Sequence, residues 1–280
     1  MNIQQALQQA SQTLAASKEN AALDAQVMLC FVLNCNSAHL AAWPEKQLTA
    51  EQSDQFLALV AQRQQGIPVA HLTGQREFWS LNFKVNNSTL IPRPETETLV
   101  EFILENFGDR PSVKLLDIGT GTGAIAIAIA SEKSNWKIVA CDNSAEAVAL
   151  AMENCVQHST NNVSLVQSDW FSNISEHDFD IIVSNPPYIA SDDPHLQQGD
   201  VRFEPHSALT AGISGMDDIE HICAHAQDYL SAQGSLIIEH GYDQQQQVAD
   251  CFARHGYTDI QQLNDLSGHT RMTAGKIVQR

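Results

Sequence analysis

The residues best suited to chemistry are Ser184-Asn185-Pro186-Pro187-Tyr188, which follow the apolar run Phe179-Asp180-Ile181-Ile182-Val183. The run predicts a buried strand, and the next five residues predict a loop that leaves the end of that strand. Proline lacks a backbone N–H, so two consecutive prolines form a stiff turn whose carbonyl oxygens can point outward. Asn185 adds a side-chain oxygen, and Tyr188 adds an aromatic wall. Acceptors grouped in this way suit a planar NH2 group on an sp2 carbon, such as a carboxamide or the exocyclic amine of a base.

A planar NH2 group of that type is a poor nucleophile because its lone pair is delocalised. Acceptors that hold both N–H bonds and press the nitrogen against a strong methyl donor orient it and free the lone pair toward the electrophile. The loop is therefore compatible with a site that holds an NH2 group beside a methyl donor. The alternative is a polar loop in which two prolines only end a strand.

A second pattern with chemical meaning is the glycine loop Asp117-Ile118-Gly119-Thr120-Gly121-Thr122-Gly123, which ends one predicted strand and enters a helix. Alternating glycines let a ligand approach the backbone, and the helix N-terminus lies just beyond them. With Ala124 in the last place, the loop also fits the pattern of dinucleotide binders. The glycine loop alone does not decide the cofactor.

Two further strand ends carry candidate ligand-binding side chains. Asp142 follows Gly123 by 19 residues, where a carboxylate can accept hydrogen bonds from both ribose hydroxyls of a nucleoside. Asp169 and Trp170 end the next strand, where a carboxylate and an aromatic face can flank an adenine. Structural roles remain open, because Asp142 can cap the helix that follows and Trp170 can fill the core. Carboxyl ends of parallel strands meet at one edge of a sheet. The candidate residues at four strand ends are therefore stronger evidence for a ligand site together than any one of them alone.

The elements that position these residues alternate from residue 113 onward, as in a doubly wound sheet. Helices are predicted between the first five strands, and another at 244–255. The segment 124–130 alternates with period two, but alanine favours helices and the segment follows the glycine loop, so we predict a buried helix. The link 265–269 is too short for a crossover, so the seventh strand is predicted antiparallel to the sixth. The strands are predicted at 113–118, 136–142, 163–168, 179–184, 235–240, 257–264 and 271–278.

The first 66 residues have a different pattern. Apolar residues at helical spacing predict helices, the last beginning at Thr49 or Ser53 and ending before Gly66-Ile67-Pro68. Residues 74–87 then predict a hairpin. Prolines in Leu90-Ile91-Pro92-Arg93-Pro94-Glu95-Thr96-Glu97 predict the start of another helix.

Composition restricts the partners. The chain has 280 residues, 33 acids and 15 bases, and a net charge of -18. Residues 1–73 carry only five of the acids and three of the bases, so the remaining portion is the acidic one. A negative field repels phosphate backbones, so we expect no direct nucleic-acid partner.

Location and metal content follow from a few residue types. Six cysteines without a C-x-x-C pair, no basic and apolar leader, and no apolar run of membrane-spanning length predict a cytoplasmic protein away from membranes. His221 and His225 have a spacing that metals can use, but no third ligand is in view, so no metal is expected. We expect a monomer.

At this point the sequence resembles a known family. Residues 113–278 resemble class I S-adenosylmethionine-dependent methyltransferases, and the tetrapeptide 185–188 is similar to that of amino-methyltransferases acting on adenine, cytosine or glutamine. The whole chain resembles the release factor glutamine methyltransferases, the PrmC/HemK family. Related ribosomal-protein glutamine methyltransferases share the tetrapeptide but differ at 93–97. The other segments that carry the resemblance are the helical N-terminus, 70–74, 90–97, 201–205, Gly268 and Arg271.

The resemblance implies an α/β fold, with a seven-stranded, mostly parallel, doubly wound sheet of the Rossmann-like type and a small N-terminal helical bundle. It implies a helical substrate-binding domain at 1–73, a linker hairpin at 74–92 and a methyltransferase domain at 93–280. The cofactor would be S-adenosyl-L-methionine, released as S-adenosyl-L-homocysteine. Its ribose would lie on Asp142 and its adenine against Trp170. The other residues implied for cofactor binding are Gly119, Thr120, Gly121, Thr122, Gly123 and Asn185.

The implied substrate is the glutamine of a Gly-Gly-Gln motif in a peptide chain release factor, methylated at N5 in translation termination. Its NH2 would donate to the Asn185 side chain and the Pro186 carbonyl, with Pro187 and Tyr188 completing the substrate site. Alternatives are methylation of a ribosomal-protein glutamine or of adenine in nucleic acid, the latter opposed by the acidic charge. A nicotinamide-dependent oxidoreductase or a non-catalytic cofactor-binding protein would leave the tetrapeptide without a task.

Overall fold

The computed structural model describes residues 1–15 and 20–277. They divide into two compact units, one comprising Met1–Gln75 and Gln197–Phe203 and the other Arg76–Leu196 and Glu204–Arg280. Residues 16–19 of the predicted helical region and residue 278, the predicted end of the last strand, lie outside the described residues. No helix in the described part of the chain is long and apolar enough to cross a membrane.

The first unit is helical. Asn2 and Gln5 form a capping box at the start of its first helix, and Thr49 with Gln52 does the same for its fourth, so Thr49 and not Ser53 begins that helix. Its core contains Ile3, Leu14, Met28, Leu29 and Phe56, all fully buried. The helices are α1 (Ile3–Leu14), α2 (Ala21–Leu33), α3 (Ser37–Ala42), α4 (Ala50–Gln64) and α5 (Val69–Thr73).

The predicted hairpin is formed by β1 (Gln75–Phe78) and β2 (Leu81–Lys84). Trp79 and Ser80 both have positive φ, which is the backbone geometry of a tight two-residue turn. The backbone of Lys84 donates to Asn154 Oδ1 (2.8 Å) and Asn154 Nδ2 donates to the Thr122 carbonyl (2.9 Å), so this buried asparagine ties the hairpin to the glycine loop.

The second unit contains the predicted seven-stranded sheet, in the spatial order β5-β4-β3-β6-β7-β9-β8. The five strands from β5 to β7 are parallel, and β9 runs antiparallel to both β7 and β8. The prediction of a mostly parallel sheet with an antiparallel last strand is confirmed. The strands are β3 (Lys114–Ile118), β4 (Lys137–Asp142), β5 (Val163–Gln167), β6 (Phe179–Ser184), β7 (Leu230–Glu239), β8 (Thr258–Asn264) and β9 (Thr270–Lys276).

Helices pack on both faces of this sheet. One apolar cluster contains Leu115 of β3 with residues of α6, α7 and α8, and another contains Leu116 with residues of α9 and α10. Neighbouring strand residues thus face opposite layers, as the pleat requires. These helices are α6 (Glu97–Phe107), α7 (Ala124–Glu132), α8 (Ala145–His158), α9 (Asp217–His225) and α10 (Gln245–Arg254).

The period-two segment is helical, as predicted. Every residue from Ala124 to Ala130 is buried in α7, so alanine and isoleucine can alternate without placing an apolar side chain in water. Helix propensity and the preceding glycine loop decide the structure where hydrophobic periodicity is uninformative.

The helix predicted between the third and fourth strands of the sheet is absent, since residues 168–178, all described, form turns and irregular structure. Ser168 Oγ donates to the Trp170 carbonyl (2.8 Å) and accepts from the backbone of Asn173 (2.9 Å). Trp170 and Asp178 also have positive φ. Side-chain hydrogen bonds of this type compete with helix formation, which is why the prediction was wrong.

Candidate functional site

A cleft of about 620 Å³, partly open to solvent, lies in the second unit at the carboxyl ends of the parallel strands. Of the predicted site residues, Gly119, Asp142, Trp170, Asn185 and Pro187 line it. The whole lining is Ile118, Gly119, Asp142, Asn143, Ser168, Trp170, Asn185, Pro187, Ser207 and Asp218.

The glycine loop turns under the cleft. Gly119, Gly121 and Gly123 have φ of 73°, 56° and 82°, a left-handed conformation that side chains rarely adopt. A Cβ on Gly119 would enter open space, whereas one on Gly123 would lie 2.9 Å from Ile127 Cδ1. Gly119 therefore leaves room beside the cleft, and Gly123 allows the loop to pack on α7.

The two threonines of the glycine loop are buried and do not line the cleft. Thr120 Oγ1 donates to Asp117 Oδ2 (2.6 Å), which also accepts from the backbone of Ala126 (3.3 Å). Burial raises the pKa of Asp117 to about 7, and the hydrogen bond from Thr120 opposes that rise. Asp117 and Thr120 thus join the end of β3 to the start of α7. The side chain of Thr120 serves the shape of the loop.

Asp142, at the end of β4, faces the cleft. Its Oδ2 accepts from the backbone of Gly121 (2.9 Å) and its Oδ1 from the backbone of Ser144 (3.0 Å). Ser144 is the residue that caps α8, which removes the helix-capping alternative for Asp142. Each carboxylate oxygen can accept more than one hydrogen bond, so Asp142 retains capacity for a ligand hydroxyl.

Trp170 borders the cleft with a partly buried ring. Its ring centroid lies 6.0 Å from that of His221, and the rings of His221 and His225 are 4.3 Å apart. The two histidines therefore extend the aromatic surface behind Trp170. The three-member metal-ligand grouping among the described residues, Glu220, Cys251 and His255, does not include them.

The predicted tetrapeptide leaves the end of β6. Asn185 Nδ2 donates to Thr96 Oγ1 (3.1 Å), while Asn185 Oδ1 is buried and has no hydrogen-bond partner within residues 1–15 and 20–277. A buried acceptor without a donor costs about 1–3 kcal/mol. Pro186 is buried. The unsatisfied oxygen is what a site for an N–H donor requires.

Tyr188 is held by its backbone and by burial. Gln244 Nε2 donates to its carbonyl (2.9 Å), and its side chain packs against the apolar cluster on the α9 and α10 face. Burial, with the nearby Glu239 carboxylate, raises the pKa of Tyr188, so the phenol stays neutral. The residue presents an aromatic surface and not a charge.

The proline-containing segment before α6 forms a 3₁₀ turn (Pro94–Thr96) that places Thr96 against Asn185. Buried Glu204 anchors this segment, accepting from the backbone of Ile91 (3.2 Å) and from Arg93 Nη2 (2.6 Å). Sequence reasoning assigned the segment only a helix start. The structure shows that it also supports the tetrapeptide.

Comparison with known proteins gives the family. Residues 5–74 match the model for the PrmC N-terminal domain, and residues 95–200 match the Methyltransferase small domain. The release factor glutamine methyltransferase of Shewanella oneidensis is 51% identical over 98% of this chain and 96% of its own length. The chain belongs to the release factor glutamine methyltransferases. The Escherichia coli member of the family is 46% identical over 100% of both chains.

Membership in this family makes the chain an enzyme that transfers methyl groups. A solved structure, a methyltransferase from Pyrococcus furiosus, covers 80% of this chain and 98% of its own, with a TM-score of 0.55 and 16% identity. At that identity the likeness shows the fold alone.

Sequence reasoning missed Asp218 and three further cleft residues, Asn143, Ser168 and Ser207. Burial raises the pKa of Asp218 to about 6, and the neighbouring Asp217 and Asp169 carboxylates add to the rise. A pair of acids at the start of α9 was a visible signal, but it is equally typical of a helix N-terminus. Only the path of the chain after β6 brings Asp218 to the cleft.

Proposed function

We propose that this enzyme transfers the methyl group of S-adenosyl-L-methionine to the side-chain nitrogen of the glutamine in the Gly-Gly-Gln motif of a peptide chain release factor. The observation that carries the proposal is the buried, unpaired Asn185 Oδ1 at the end of β6. A carboxamide NH2 group supplies the missing donor. Relatives that share about half of the sequence over nearly its full length are named release factor glutamine methyltransferases.

The residues of the cleft fit the proposed cofactor. Gly119 leaves open space where a side chain would stand, and the Asp142 carboxylate faces the cleft with remaining acceptor capacity for ribose hydroxyls. Trp170 offers an aromatic face, and Asp218 offers an acceptor for an exocyclic amine. The cofactor supplies a methyl group on a positively charged sulfur. The acidic cleft is favourable for that charge.

The contribution of the chain to the reaction is positioning. Asn185 Oδ1 accepts one N–H of the substrate amide and the Pro186 carbonyl accepts the other, which holds the nitrogen with its lone pair toward the methyl donor. Pro187 and Tyr188 confine the plane of the amide. The nitrogen of the methylated product then loses a proton. No metal takes part in this scheme.

The proposed protein substrate is supported over an adenine in nucleic acid by two observations. Residues 5–74 match a domain model named for this family, and the net charge is -18, which disfavours a polyphosphate partner. We propose that residues 1–73 bind the release factor and that the reaction takes place in the cytoplasm, where translation termination occurs. We also propose that the enzyme acts as a monomer.

A methylation assay tests the substrate. Purified enzyme is incubated with methyl-labelled S-adenosyl-L-methionine and a release factor, its Gln→Ala variant in the Gly-Gly-Gln motif, ribosomal protein, or DNA. Label on the release factor that is lost in the Gln→Ala variant supports the proposal. Label confined to DNA or to ribosomal protein contradicts it, and mass spectrometry of the labelled peptide identifies the modified atom.

A further inference from the structure

Glu239 is a buried carboxyl beside the tetrapeptide that none of the roles above uses. It is the last residue of β7, and the register of β6 and β7 pairs its neighbour Ile238 with Ser184, the residue before Asn185. Glu239 is 3% exposed, and its Oε2 has no hydrogen-bond partner in the described ranges. A buried carboxyl is costly, so its presence beside the site calls for an explanation.

Two side chains of the site face this carboxyl. Burial raises the pKa of Glu239 to about 7, and hydrogen-bonding interactions with the Thr96 hydroxyl and the Asn185 amide oppose the rise. The positive charge of Arg271 also opposes it, whereas Glu95 adds to it. The Glu239 carboxyl, the Thr96 hydroxyl and the Asn185 amide therefore form one cluster. Thr96 is 5% exposed and accepts a hydrogen bond from Asn185 Nδ2 (3.1 Å).

The chemistry of these three groups sets a direction. An ionised carboxylate can only accept hydrogen bonds, so both groups that face Glu239 must meet it as donors, the Thr96 hydroxyl with its single proton and the Asn185 amide with its NH2 group. The lone pairs of the hydroxyl then face Asn185, and they can only be met by its NH2 group. With the NH2 group directed at Thr96, the other end of the amide is its oxygen, the unpaired Oδ1. The carboxylate thus decides which end of a nearly symmetric amide is available to a substrate.

We propose that Glu239 and Thr96 are positioning residues that fix the Asn185 amide with its oxygen, and not its NH2 group, available to the substrate nitrogen. This inference rests on the proposed function, since only an NH2 substrate needs an acceptor there. With the amide reversed, an NH2 group would face an NH2 group, and the substrate would lose a hydrogen bond.

Three shape-conserving substitutions test the direction. Glu239→Gln can donate to Thr96 and so allows the hydroxyl to turn toward Asn185. Thr96→Val removes the hydroxyl, and Thr96→Ser retains it. We expect Glu239→Gln and Thr96→Val to lower kcat at least about tenfold, less than the roughly 10²-fold for a group that contacts the reacting atoms. Thr96→Ser should stay near wild type, and the Kd for S-adenosyl-L-methionine should change little in all three.

Matched controls separate positioning from folding. Thr160→Val removes a buried hydroxyl that bonds the Cys155 carbonyl away from the cleft, and Glu153→Gln neutralises an exposed partner of Lys84. Both should retain kcat even where thermal stability falls. In an Asn185→Ala background, Thr96→Val should cause no further loss, because the group that it orients is gone. Wild-type kcat in Glu239→Gln and Thr96→Val, or a further loss in that background, would overturn the proposal.

A second readout needs no substrate. The Asn185 side-chain NH2 signal in a ¹⁵N–¹H spectrum is identified by its loss in Asn185→Ala. In Glu239→Gln its shift and its solvent exchange should change, while in Thr160→Val they should not. An unchanged signal in Glu239→Gln contradicts the inference. If the wild-type enzyme fails to methylate the release factor, the proposed function fails, and this spectrum still tests the orientation of the amide.

Discussion

The two halves of the cleft are built differently. At the ends of β3 and β4 the shape comes from the backbone, because left-handed glycines form the loop and the acids Asp117 and Asp142 accept from backbone N–H groups. At the ends of β6 and β7 the shape comes from a cluster of side chains, Thr96, Asn185 and Glu239. Backbone positions are rigid and suit a ligand that binds in the same way in every turnover, such as the proposed cofactor. A network of hydrogen-bonded side chains can set the direction of a single hydrogen bond, which suits the positioning of the substrate NH2 group.

The largest effect should come from the side-chain half. Asn185→Ala removes the acceptor for the substrate nitrogen, and we expect turnover to fall about 10²-fold or more with a much smaller change in cofactor affinity. Steady-state kinetics at saturating cofactor and calorimetric titration measure the two. Asn106→Ala, which loses a bond to the Phe102 carbonyl in α6, is the control. Equal losses of turnover and cofactor affinity would remove the distinction between the halves.

The backbone half should respond in the opposite sense. Gly119→Ala places a methyl group in open space beside the cleft, and we expect the Kd of the cofactor to rise about tenfold while kcat at saturation changes little. Gly256→Ala is a close control, because Gly256 has φ 79°, an open Cβ position and no part in the cleft. Both should lose similar stability, since each strains a left-handed residue by about 1–2 kcal/mol. Cofactor binding that weakens equally in both would show that strain alone is the cause.

The pH dependence of kcat should follow the side-chain half. Glu239, with its pKa near 7, is ionised above that pH and protonated below it, and a protonated carboxyl can donate to Thr96. We expect a several-fold fall in kcat at saturating cofactor as the pH decreases through 7. The charged groups around the carboxyl are Arg271 and Glu95, and Tyr188 remains neutral. Glu239→Gln should have a low kcat that no longer falls as the pH decreases through 7. If the fall is unchanged in this variant, it arises from the titration of another group.

The smallest effect should be on stability in the backbone half. The pKa of Asp117 is raised from 3.8 to about 7, so the folded protein binds this proton more tightly than the unfolded chain. The contribution is fully present below pH 4 and is lost as the pH rises through 7. The thermal stability of Asp117→Asn, compared with wild type, should therefore improve as the pH rises from 5 to 8. A difference in Tm that is constant with pH would contradict this.

The successes of sequence reasoning were local. Chain segments with strong apolar runs predicted five of the seven strands within one residue at each end. β7 begins at Leu230, five residues earlier than predicted, and β9 ends at Lys276, two residues before the predicted end. The missing helix at 168–178 shows that a helix does not follow every strand, although the alternating pattern of a doubly wound sheet predicts one. There, hydrogen bonds of Ser168 to its neighbours decide the backbone.

By itself the sequence determined the order of strands and helices, the glycine loop and the tetrapeptide, because hydrophobic periodicity, glycine conformations and proline geometry act over a few residues. Only the tertiary structure decided that Thr96 and Glu239 lie against Asn185 and that Asp218 faces the cleft. Those residues come from segments far apart in the chain. Their side chains meet because the sheet sets β7 beside β6 and because Glu204 anchors the segment before α6. No local pattern encodes such a meeting, since it depends on how the whole second unit packs.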